Sequence, residues 1–178
     1  MHRITAILGS LVLVMTLTAA ANGQEPENTL YMDLEDGRVV IGLRPDLAPK
    51  HVARIKELTR EGFYDGVVFH RVIDGFMAQT GDPTGTGRGG SDKPDLPAEF
   101  SSAKFERGTL GMARTSDPNS ANSQFFINLA PTPHLEGQYT VWGEVVEGME
   151  FVDQIAKGEP PANPDKIVKM SVAADAAG

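Results

Sequence analysis

The stretch Phe69-His70-Arg71-Val72-Ile73-Asp74-Gly75-Phe76-Met77-Ala78-Gln79 sets one guanidinium among aromatic and thioether side chains, with the carboxamide of Gln79 eight residues after it. If residues 67–72 form a strand, period-two alternation places Arg71 on the face of Phe69 and Val67, pointing either to water or into a pocket. A lone strand arginine usually faces water. The second block, Asn122-Ser123-Gln124-Phe125-Phe126-Ile127, shifts that balance by adding an amide and more aromatics at strand spacing. Two amides, a guanidinium and apolar walls fit a peptide, not a metal. The same alternation puts His70 on the opposite face, as a structural residue.

Other chemistries find less support. Gly85-Thr86-Gly87-Arg88-Gly89-Gly90 has the spacing of a dinucleotide fingerprint, but that motif requires a helix immediately after it. Ser91-Asp92-Lys93-Pro94-Asp95-Leu96-Pro97 cannot open one, so the glycines read as turns. His51, His70 and His134 lack ligand spacing, and no metal or cofactor is expected. There is neither a G-x-S-x-G elbow nor a cysteine, so a nucleophilic hydrolase has no motif behind it.

The elements that would carry these residues are short. Apolar runs at 29–34 and 38–43 flank Glu35-Asp36-Gly37 and predict a hairpin. Residues 49–60 place Val52, Ile55 and Leu58 at helical spacing, opened by Pro49 and stopped by Gly62. Further strands are expected at 67–72, 77–80, 109–113, 125–129, 139–145 and 167–172, and a second helix over 149–157, ending at Gly158. Residues 82–106 carry too many Gly and Pro for regular structure and should wrap the outside as a loop. Eight short strands without strand-helix alternation make the fold class mainly β. Closing an antiparallel sheet into a barrel would remove its exposed edges, which favours a closed eight-stranded barrel with two helices over a sandwich.

The chain begins with His2-Arg3, an apolar run over residues 4–17 and Ala19-Ala20-Ala21, the form of a secretory signal peptide over residues 1–21. The apolar run is shorter than the roughly 20 residues that span a bilayer, so no stable membrane insertion is expected once the leader is removed. The domain plan is then a short flexible segment at 22–28, one domain over 29–173 and a tail at 174–178. An exported, periplasmic or secreted monomer is expected. With no cysteine, disulfides cannot staple it, and the core must hold the fold. The net charge of −8 argues against nucleic acid as a partner.

The two blocks and the glycine-rich loop between them resemble the cyclophilin-type peptidyl-prolyl cis-trans isomerases, and the likeness continues through Gly108-Thr109-Leu110-Gly111-Met112-Ala113, Trp142-Gly143-Glu144-Val145 and Gly148-Met149. The resemblance implies an eight-stranded barrel capped by two helices, acting without a cofactor on proline-containing polypeptide clients. It implies Arg71 as the electrostatic catalytic residue. Phe76, Met77, Phe126 and Leu135 would form the proline slot, Gln79 and Gln124 would orient Arg71 and hold the substrate backbone, and the backbone of Ala113 and Arg114 would bind the extended peptide. His134 stands where many eukaryotic relatives have a tryptophan associated with cyclosporin, and Tyr139 where they have a histidine, so the resemblance gives no basis for cyclosporin sensitivity. The loop 114–121 aligns as one residue longer than in the best-known members. Two other classes stay open at this point: a proline-peptide-binding holdase with little turnover, and a secreted ligand-carrying barrel.

Overall fold

The computed structural model describes residues 25–176. The expected leader at 1–21 lies outside them. An opening hairpin joins β1 (Thr29–Asp33) and β2 (Arg38–Leu43), its turn closed by Leu34 N–H donating to the Gly37 carbonyl at 2.9 Å. Helix α1 (Pro49–Arg60) follows over the predicted residues. Its first free N–H groups, on Lys50 and His51, donate at 3.1 and 3.0 Å to the carboxylate of the distant Glu99, which takes the place of a local capping side chain. Val52, Ile55 and Leu58 face the core.

Strands β3 (Arg71–Ile73), β4 (Met77–Thr80), β5 (Thr109–Met112), β6 (Phe125–Asn128), β7 (Val141–Glu147) and β8 (Lys169–Val172) complete one antiparallel sheet, with helix α2 (Met149–Gln154) between the last two. The strand order is β3-β4-β6-β5-β7-β2-β1-β8. Among the described residues, eight antiparallel strands and two helices are as expected, but the sheet is a half-barrel, not a closed one. β3 and β8 stand at its ends, and the seam between them is bridged by irregular backbone. There Gly66 N–H donates to Ile167 at 2.7 Å, Phe69 N–H to Asp165 at 2.8 Å and Ile167 N–H to Val67 at 2.9 Å. Because residues 66–69 pair across this seam, the strand expected at 67–72 begins only at Arg71. α2 also ends early, at Gln154, because the Asp165 carboxylate captures the Ala156 N–H at 2.7 Å.

Alternation along the strands sorts side chains into two apolar bodies. Val72, Ala78, Leu110, Met112, Phe125 and Ile127 join the main core with Trp142 and Tyr64. Their neighbours Met77 and Phe126 project to the other face and form a second cluster with Phe105, Leu135 and Val141. Both ends of the described residues are tied to α1: the 3-10 turn Pro26–Asn28, inside the segment expected to be flexible, pairs Glu27 with Lys56 at 2.8 Å and with Arg60 at 2.9 Å. Arg60 also reaches Asp175 at 2.8 Å in the turn Ala173–Asp175.

Candidate active site

Register builds the site. On the outer face, Arg71 of β3 lies opposite Gln79 of β4, Gln79 opposite Phe126 of β6, and Phe126 opposite Gly111 of β5. One cross-strand row thus runs from cation to amide to aromatic ring to a residue without a side chain. Gly111 is required there because a Cβ would strike the rings of Phe126 and Phe105. Those two rings stack at 5.9 Å, and Tyr139 meets Phe126 edge-on at 5.7 Å.

Over this row lies a cavity of about 520 Å³. It is lined by Arg71, Phe76, Met77, Gln79, Ala113, Arg114, Phe126, Leu135 and Tyr139, nine of the residues anticipated from sequence. Met77, Phe126 and Leu135 form a nearly buried floor, 2%, 5% and 8% exposed, while Arg71 keeps 44% of its side chain exposed at the mouth. Arg71 therefore shares the apolar notch and does not turn away from it. Gln124 stands one step aside, in an adjoining cavity that shares Gln79, Gly87, Ala113 and Arg114 with the first. His134 is exposed and outside the lining, with its ring 5.8 Å from that of Phe76.

The contacts around the cavity depart from expectation at the amide pair, Arg71, Ala113, Arg114 and His70. Gln79 donates to Gln124 Oε1 at 2.9 Å, and Gln124 donates to the Gly87 and Gly89 carbonyls at 3.1 and 2.8 Å, so the two amides fix each other and the glycine loop. Arg71 instead donates from Nε to Glu159 Oε1 at 2.8 Å, a partner that sequence reasoning missed. The Ala113 N–H is already given to the Gln124 carbonyl at 3.0 Å and is not free for another acceptor. Arg114 lies over the Tyr139 ring at 4.4 Å and donates to the carbonyls of Gln138 and Thr115, buttressing the wall through its side chain. His70, assigned to the far face, lines the cavity, because alternation cannot be carried into a segment that is not strand. Burial holds its imidazole below the ordinary value, against the pull of Asp82.

The glycine-rich loop gains its shape from Asp82, whose fully buried carboxylate accepts from Thr84 N–H and Oγ1 at 2.8 Å, from Gly87 N–H at 2.6 Å and from Gly89 N–H at 3.1 Å. Burial opposes the charge, but these donors outweigh it and hold Asp82 at about 2. The N–H groups that a phosphate would need are thus turned inward to a carboxylate of the protein itself, and irregular backbone follows.

Residues 29–172 match the family model described as cyclophilin type peptidyl-prolyl cis-trans isomerase. A "Probable peptidyl-prolyl cis-trans isomerase" of Brucella suis is 56% identical over 182 residues, covering 93% of this chain and 91% of that protein. Peptidyl-prolyl cis-trans isomerase B of Bacillus subtilis is 44% identical over 133 residues, covering 74% and 92%. Among solved structures, cyclophilin AquaCyp293 from Hirschia baltica superposes with a TM-score of 0.80 at 30% identity, covering 85% of this chain and 76% of that one. A Cryptosporidium parvum cyclophilin crystallised in the presence of the dipeptide Ala-Pro gives 0.76 at 30% identity, covering 81% and 98%. The chain belongs to the cyclophilin-type peptidyl-prolyl cis-trans isomerases.

Proposed function

We propose that this isomerase accelerates rotation about X-Pro bonds of exported polypeptides and so assists their folding, with Arg71 as the catalytic group. The observation that carries the assignment of roles is the register row, which sets a guanidinium at the mouth of a notch floored by Met77, Phe126 and Leu135. Rotation about a peptide bond costs about 18–20 kcal/mol because resonance must be broken, while no bond is made or cut. As the amide twists, the prolyl nitrogen becomes pyramidal and its lone pair localises. A donor aimed at that nitrogen binds the twisted amide better than the planar one, and only such a difference speeds the reaction. A guanidinium keeps its charge and donors at any working pH. An acceleration of about 10⁵ corresponds to roughly 7 kcal/mol.

The remaining residues divide the task of holding the peptide. Phe76, Met77, Phe126 and Leu135 take the pyrrolidine ring, their side chains lining one cavity. Gln79 and Gln124 act on the substrate backbone as one fixed amide pair, and the backbone at Ala113 and Arg114 receives the extended chain. Tyr139, pinned under Arg114, closes the wall, and His134 supports Phe76. The enzyme works as a monomer without cofactor. Export rests on the leader-like residues 1–21 and places the protein in the periplasm or outside the cell.

Exchange NMR on an Ala-Pro peptide tests the activity: the wild-type chain should collapse the slow cis-trans interconversion at catalytic concentrations, and an unchanged rate would contradict it. Fractionation with mass spectrometry of the mature N-terminus tests export, with Asn22 as the expected first residue and an uncut cytoplasmic chain as the contrary result.

A further inference from the structure

The Arg71–Glu159 contact has the geometry of a support, not of a chance surface pair. Glu159 is 88 residues from Arg71 in sequence, yet its backbone is clamped beside β3. Val72 and Gly158 exchange two hydrogen bonds, each 2.8 Å, across the seam, so the residue after Gly158 must emerge next to the residue before Val72. Gly158 is needed for the turn that follows it: its φ is +149°, and a Cβ there would lie 2.6 Å from the Cα of Pro161. The segment is held further by the Asp165 carboxylate on Ala156 N–H and by Lys157 Nζ on the carbonyls of Asp153 and Ile155. A carboxylate is thereby delivered to the cavity rim with its own backbone ordered, and Oε1 accepts the Arg71 Nε–H at 2.8 Å.

Nε is the one guanidinium donor on the stem side of the fork; the two terminal nitrogens make no hydrogen bond to the described residues. The amides do not do this holding, since Gln79 and Gln124 are bonded to each other and to the loop. We infer that Glu159 is a positioning residue for the isomerase reaction, accepting the Nε–H of Arg71 so that the terminal guanidinium nitrogens are aimed at the prolyl nitrogen. The inference rests on Arg71 being the catalytic cation. Both partners are about half exposed, so the effect is modest, and it acts on the transition state because the aimed donors matter most when the lone pair localises.

The test compares Glu159→Ala, which removes the acceptor, with Glu159→Gln, which keeps an acceptor oxygen and removes the charge, and uses Arg71→Ala as reference. For Glu159→Ala, kcat on an Ala-Pro peptide should fall roughly two- to fivefold with KM unchanged. Glu159→Gln should recover most of that loss. In the wild type the Arg71 Nε–H resonance should exchange slowly with water, and in Glu159→Ala it should merge with the exposed arginines. Wild-type kcat in Glu159→Ala, or faster turnover in both variants, would overturn the inference while leaving Arg71 catalytic, as would an equal loss in both. An Arg71→Ala chain as active as wild type would remove the underlying assignment instead, and the inference with it.

Discussion

Arg71 was legible as a candidate because its neighbours in the chain, Phe69 to Gln79, already give the composition of a peptide notch, and the two amides and Phe126 follow from a second block of the same kind. What local pattern could not deliver is the partner of Arg71. Glu159 comes into place through seam pairing between Val72 and Gly158, a tertiary event with no periodicity to announce it. His70 was misassigned for a related reason: alternation was extended into residues whose backbone bonds run to the segment 165–167. Gly111 was legible as part of a family motif but not as a spatial requirement, which appears only when Phe126 and Phe105 stack over it. Gly111→Ala should therefore push the Phe126 ring off its place, destabilise the fold by about 1–3 kcal/mol as overpacking does, and raise KM for proline peptides. Urea denaturation together with peptide kinetics checks this. A variant with wild-type stability and KM would show that the notch does not depend on that contact.

At the scale of elements, patterns worked where several local signals agreed. α1 came out over 49–60 because its apolar stripe, Pro49 and Gly62 all agree, and the first hairpin because Asp36-Gly37 separates two apolar runs. They failed at ends set by distant side chains, as when Asp165 cut α2 short at Gln154. The glycine-rich loop was rightly read as irregular, but its order comes from the buried Asp82, which sequence reasoning passed over. That carboxylate gives the loop a pH dependence of definite sign. Its value in the folded chain, about 2, lies below the ordinary 3.8, so its contribution is complete above about 3.8 and is lost as the pH falls toward 2. Asp82→Asn should be less stable at neutral pH, and the gap to wild type should narrow by about 1 kcal/mol between roughly pH 5 and pH 3. Chemical denaturation at both pH values measures the gap; one that stays constant would mean that the loop does not hold this charge in the folded state.

For the molecule as a whole, strand number and antiparallel order could be anticipated from short strands and turn spacing, whereas closure could not. Whether β3 meets β8 depends on the backbone between residues 66–69 and 165–167, where no strand pattern is written. The open end of the half-barrel carries both the proposed catalytic row and the loop that supplies Glu159. The outer-face cavity, the proposed proline slot, sits on its own apolar cluster, apart from the main core. The central claim, that a fixed cation favours the twisted prolyl amide over the planar one, is tested most directly by NMR line-shape titration of an Ala-Pro peptide, which yields affinity and catalysed exchange rate from one data set. Arg71→Ala should lower catalysed exchange about a hundredfold while peptide affinity changes less than about threefold. Exchange that persists, or that falls only in proportion to lost binding, would contradict the account.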